Sequence, residues 1–266
     1  MSLFTDGFVS EVSDLVAYEA DLPDVAAAEG IDLATKLQLA QTEVGAQLEA
    51  SSRRPGNVFF AKGAGWQSTG SETSLPRFEL RQVAITPPLK LWHTFQALSL
   101  IYRDANSRRL NDKYLPKWRE YKELSSWAAE MLFQTGVGIV ASPLPRPSEP
   151  EVDWVPSSLQ AMALYVRMSW EGQNGTEGAA SSSRAISVPE NNALRVKPTE
   201  AAPVGAAGWN AYVGVSPEEA TKQNASPIDG ASHWVMPASG LIEGAGLGNG
   251  QEPDLFRTVP RFLQRG

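Results

Sequence analysis

Side chains able to move protons or hold metals are few in this sequence, and their spacing keeps them apart. The chain has two histidines, His93 and His233, and no cysteine. Without cysteine there is no disulfide, no thiolate metal site and no thiol nucleophile. His93 falls among Leu91, Trp92 and Phe95, which reads as a hydrogen-bonded structural histidine on an apolar helix face. His233 abuts Trp234 in a candidate strand and takes the same reading. No histidines and carboxylates stand at metal-ligand spacing. Glu149 and Glu151, like Glu218 and Glu219, sit in candidate linkers or turns, where acid–base catalysis finds no buried pairing. Gly244, Gly246, Gly248 and Gly250 superficially match a phosphate loop, but no strand precedes them and no Lys-Ser/Thr pair closes them. The expectation is no catalytic residue, no cofactor and no metal.

Surface chemistry is better represented. Net charge is −7, unevenly spread. Residues 1–50 carry ten acids against one base, whereas residues 51–130 carry thirteen bases against seven acids. Two such blocks can complement each other inside one subunit or between neighbours, or simply be solvated. Arg103, Arg108, Arg109, Lys113, Lys117, Arg119 and Lys122 cluster along one stretch, as phosphate neutralisation requires. Interspersed Asp104, Asp112, Glu120 and Glu123 argue against sequence-specific DNA binding and leave non-specific contact. Trp170, Trp209 and Trp234 are candidate core or rim aromatics, and as exposed rings would stack on sugars.

Those residues need elements to hold them. Leu91, Phe95, Leu98 and Tyr102, after Pro87-Pro88, recur at helical spacing, and Tyr114, Trp118, Tyr121, Leu124, Ala128, Met131 and Leu132 repeat the pattern after a break at Asn111-Asp112. This predicts a helical hairpin over Pro87–Gly138. Residues 8–50 also read as helical, interrupted at Pro23 and recapped at Asp32. Val58–Phe60 and Phe78–Ile85 read as strands around a long polar loop, an extended hairpin-like insertion over residues 55–87. Four prolines in residues 143–150 predict an extended spacer. Beyond it, Ala163–Trp170, the turn at Asn174-Gly175, Ala185–Val188, Ala193–Val196, Gly208–Gly214 and Ser232–Val235 read as the short strands of a β-sandwich. The fold class is thus α+β and multi-domain: a helical domain over 1–142, a linker over 143–157, a sandwich over 158–239, and an arm over 240–266. The arm buries too little to fold alone and is expected to dock on something else.

The run LKLWHTFQALSLIYRDANSRRLNDKYLPKWREYKELSSWAAEMLFQTGVGIV and the acidic opening DLPDVAAAEGIDLATKLQLAQTEV resemble helical head–tail connector (adaptor) proteins of tailed bacteriophages. ALYVRMSWEGQNGTEGAAS and GWNAYVGVSPEEATKQNASPI are similar to immunoglobulin- or fibronectin-type modules of phage neck and tail proteins. The resemblance implies a structural, non-enzymatic virion protein. It implies a ring, commonly of twelve subunits, between the portal and the tail or nozzle proteins, with DNA passing through it. Arg257, Arg261, Val259, Phe262 and Leu263 would anchor the arm on a neighbouring ring, and Arg103, Arg108, Arg109 and Lys113 would meet a subunit or the portal. The acidic N-terminus and the lack of a long apolar run predict no membrane partner and production in a host cytoplasm.

Overall fold

The computed structural model describes residues 1–54, 57–60, 77–108 and 112–259. It is α+β, with five α-helices and antiparallel sheets among the described residues. The chain divides into two compact units, each assembled from two separate stretches: Gly7–Ala141 with Pro253–Gly266, and Met1–Asp6 with Ser142–Glu252.

In the first unit the helices are α1 (Val12–Val16), α2 (Leu22–Glu29), α3 (Leu33–Ser52), α4 (Pro87–Ser107) and α5 (Leu115–Thr135). Pro23 occupies the first turn of α2 instead of interrupting a helix, because the N–H it lacks has no intrahelical partner there. Asp32 caps α3, its carboxylate accepting from Ala34 N at 3.1 Å. The expected hairpin is α4 with α5, and α4 is its spine. Trp92, His93, Phe95, Leu98, Leu100, Ile101 and Tyr102 are all buried along it. Rings lock the pair: Trp92 meets Phe133 edge-on at 5.7 Å, and Tyr102 stacks on Tyr121 at 5.6 Å.

The insertion differs from expectation. Strand β1 (Asn57–Phe60) forms, but Phe78–Ile85 does not pair with it. Leu80–Gln82 is a short 3₁₀ turn, held by Glu79 N–H donating to the Gln82 side chain at 2.9 Å. That local bond offers the backbone an alternative to a ladder. Val83 instead bridges Ile139, and Ala84 N–H donates to Gly138 O at 3.0 Å.

The partner of β1 comes from the expected arm. Strand β10 (Leu255–Thr258) lies between β1 and β2 (Val137–Ile139), antiparallel to both, with Phe60 opposite Leu255 and Arg257 opposite Val137. Gly136 makes room for it: φ is +110°, and a Cβ there would sit 2.9 Å from that of Phe256. The arm is therefore built into its own chain as far as Val259, because two short strands bond it on both sides.

The second unit holds β3 (Glu151–Pro156), β4 (Met162–Gly172), β5 (Arg184–Val188), β6 (Asn192–Lys197), β7 (Ala206–Gly214), β8 (Thr221–Lys222) and β9 (Trp234–Val235). One sheet runs β3-β6-β9 and the other β5-β4-β7-β8. Leu164, Met168, Trp170, Leu194, Val196, Trp209 and Trp234 from both sheets share one apolar core. The proline-rich stretch is not a free spacer: it contains β3, and Leu144 is buried in that same core. Proline's extended backbone suits the margin of a sheet as well as a linker. Residues 240–251 also belong to this unit. Gln251 accepts from Leu144 N at 2.6 Å, Ile242 N bonds Gln223 at 2.9 Å, and Gly246 bridges Thr221.

Candidate functional site

The structure separates the residues singled out from sequence. Trp170, Trp209 and Trp234 are 1%, 0% and 8% exposed, so their rings fill the core and no flat face is offered to a sugar. Trp209 also spends its indole N–H on Asp229 O at 3.1 Å. Arg257 is buried and donates to Ser52 O at 3.0 Å and Arg54 O at 2.8 Å, fastening the last turn of α3. Val259 is buried, with its N–H on Phe133 O at 3.0 Å. Neither is a free anchor: Arg257 lies in β10, which is interior to its own sheet, and Val259, directly after it, packs back on the helical unit. Arg109, Arg261, Phe262 and Leu263 lie outside the described residues.

Arg108 turns back on its own unit, donating to Glu29 O at 2.6 Å, where the carbonyl end of α2 favours a cation. Lys113 lies 4.8 Å over the Tyr114 ring. Arg103 is exposed, 3.8 Å from Asp104. The acidic and basic blocks meet inside the chain at several points: Lys90 pairs with Asp14 at 2.8 Å, Lys117 with Glu19, and Lys36 with Asp104. Burial alone would raise Glu19, but hydrogen bonds from Lys117 and Tyr121 hold it below the usual carboxylate range. Burial, and then the nearby charge of Glu19, push the Tyr102 phenol up to about 12.

Among the described residues of this helical unit, two surfaces combine exposed charge with apolar side chains. Between α3 and α5, over α4, runs a groove of about 320 Å³. Trp92, Leu100 and Trp118 contribute apolar lining, and Gln47, Arg103 and Lys122 contribute polar lining. Around α1, Phe8 is 54% and Val12 38% exposed, beside the exposed carboxylate of Glu11.

His93 is the structural histidine expected. It is fully buried, and its Nε2–H donates to Leu37 O at 3.1 Å. Nδ1 has no hydrogen-bond partner in the structure. Burial holds its pKa down to about 4, against an ordinary value of 6.5. The folded chain therefore resists protonating it while the unfolded chain does not. Its contribution is complete above about pH 6.5 and is lost as pH falls toward 4, by about 3 kcal/mol in all at about 1.4 kcal/mol per unit. Urea midpoints at pH 7 and pH 5 are expected to differ more for the parent than for His93→Gln, and an equal drop in both would refute the assignment.

A polar layer that sequence spacing did not suggest lies in the second unit, on the face of β4 and β7 turned away from the apolar core. Asn210 Nδ2 donates to Glu171 at 2.8 Å and Glu177 at 3.1 Å, and Asn210 Oδ1 accepts from Asn224 at 2.8 Å. Glu177 also accepts from Tyr212 at 2.6 Å and from Ser169, while Lys222 pairs with Glu171 at 3.0 Å. Burial and then the Glu177 bond push the Tyr212 phenol upward, keeping it a donor. Ser169, Asn210 and Tyr212 are all buried. Each acceptor already has its donor, so the layer is structural. Among the described residues no three His, Cys, Asp or Glu side chains gather to hold a metal ion, and no helix is long and apolar enough to cross a membrane. No protein-family model and no curated protein matches the chain.

Proposed function

We propose that the chain is a structural component of a tailed-bacteriophage neck, a head–tail connector whose copies form a ring between portal and tail around the DNA exit path. It works by adhesion spread over many subunit contacts, without turnover. The observation that carries this reading is the sheet β1-β10-β2. The chain leaves it after Phe60 at one end and after Val259 at the other, because β1 and β10 are antiparallel with Phe60 opposite Leu255 and Asn57 opposite Thr258. Those exits stand apart by roughly 10 Å, the length of a four-residue strand. A sheet from which the chain continues at two opposite ends suits a part that binds structures on both of its sides. Arg261, Phe262 and Leu263 then anchor to portal or tail, and the exposed bases of the hairpin face a neighbouring subunit or passing DNA.

The unit of residues 142–252 fits the accessory module of such a protein, an immunoglobulin- or fibronectin-like domain. The sheet β5-β4-β7-β8 has the order expected of C′-C-F-G strands, with β3 and β6 in the places of B and E. It departs from that plan beside β6, where β9 from later in the chain fills a position that an earlier strand would take.

Electron microscopy of the native particle containing this chain tests the reading. The expected image is a ring of this protein between head and tail. Finding it as an isolated globule elsewhere in the particle, or outside it, would sink the proposal.

A further inference from the structure

The two open surfaces of the helical unit lie on opposite sides of α4. Thr94 faces α1, bonding Ser10 at 2.9 Å, and Lys90 on the same side pairs with Asp14. Gln96, Leu100 and Arg103 line the groove. Thr94 and Gln96 are two residues apart, a rotation of roughly half a turn around the helix. A copy therefore presents an acidic surface bearing exposed apolar side chains on one flank, and a basic groove with an apolar lining on the other.

We infer that these two surfaces are partners: the Phe8–Val12 segment of one copy seats in the groove between α3 and α5 of the next. Three observations select a second copy as the occupant. Charge is complementary, since Glu11 is exposed at the knob while Arg103 and Lys122 border the groove, and Lys122 makes no ion pair among the described residues. Chemistry is complementary too. Phe8 and Val12, four residues apart and both exposed, would reach the half-buried ring of Trp118, which lies over the buried Trp92 and Leu100 at the floor of the groove. Finally, the surfaces differ and do not share a face, so the contact cannot be satisfied within a two-fold dimer. It is heterologous, the type that closes into a ring when the rotation permits. The inference rests on the assembly reading above and specifies which faces of the subunit make its lateral contact.

Sedimentation of the purified full chain over a concentration series tests it. The parent is expected to self-associate weakly, and Lys122→Glu to weaken that association by about tenfold, as like charges are brought together. Glu11→Lys should weaken it similarly, and combining both in one chain should restore it. Phe8→Ala, which changes no charge, should also weaken it. These positions are exposed, so far-UV circular dichroism is expected to match the parent and confirms that each variant is folded. Association unchanged in Lys122→Glu and Phe8→Ala would place the contact elsewhere and overturn the inference while leaving the ring itself standing. A parent that stays monomeric at every concentration overturns it as well. The micrographs of the native particle then judge the assembly reading separately.

Discussion

Removing residues 253–266 is expected to unfold the sheet of the helical unit and loosen its helices, not merely to free a docking arm. Strand β10 bonds both β1 and β2, so its loss leaves two short strands without a ladder. Other fastenings go with it. Asp254 accepts from Ala141 N at 2.9 Å and donates its own N–H to Ile139 O, while Arg257 holds the carbonyls of Ser52 and Arg54. Arg257→Leu alone strands those acceptors and is expected to cost about 2–5 kcal/mol. Hydrogen exchange read by mass spectrometry localises the effect. Peptides of α3, α4 and α5 should lose protection in the truncated chain, while peptides of β4 and β7 keep theirs. Unaltered protection of α4 would show that the terminal strand is dispensable.

A comparable loss is expected in the other unit from a change of one atom type. Asn210→Asp replaces the amide that donates to both Glu171 and Glu177 with a third carboxylate. Glu171 and Glu177 each lose one of their donors, and three negative charges share a part-buried layer, at an expected cost of about 3–5 kcal/mol near neutral pH. The sign with pH follows from the repulsion. Crowding by its neighbours raises the folded-state pKa of the introduced carboxyl above its unfolded value, so the penalty is present at neutral pH and recedes as the pH falls and that carboxyl takes a proton. Urea titration followed by tryptophan fluorescence, which Trp170 and Trp209 report from this unit, measures it at pH 7 and pH 5. Adding Glu177→Gln should recover part of the loss, because it removes one charge from the cluster. Equal stability of parent and Asn210→Asp at pH 7 would mean that the layer is more hydrated than its burial indicates.

The helical hairpin was legible because its pattern is local: Phe95, Leu98 and Tyr102, then Tyr114, Tyr121 and Leu132, repeat at the spacing a helix needs to bury one side. Strands β4, β6 and β7 were legible for the same reason, being short β-branched and aromatic runs bounded by Gly, Asn and Pro. What escaped was non-local. Nothing around Leu255–Thr258 signals that its neighbours are Asn57–Phe60 and Val137–Ile139, so it read as an arm. Strand β3 was hidden by the prolines before it, and β8 is too short to carry a period. Gly208–Gly214 read simply as one short strand of a sandwich, with two faces. In the structure both are buried, and the polar face is satisfied by Glu171, Glu177 and Asn224, whose convergence no spacing rule encodes. Arg108 and Arg257 looked like surface charges because a guanidinium's destination, here a helix-terminal carbonyl, depends on tertiary approach.

The interleaving of the two units has a consequence for a nascent chain leaving the ribosome. The helices of the Gly7–Ala141 stretch emerge before the Ser142–Glu252 stretch of the second unit, yet the central strand of their sheet, β10, emerges only after that stretch has been translated in full. Until then β1 and β2 offer bare edges to any passing polypeptide. The last strand to be made thus acts as a latch, closing the helical unit only once the intervening module is complete.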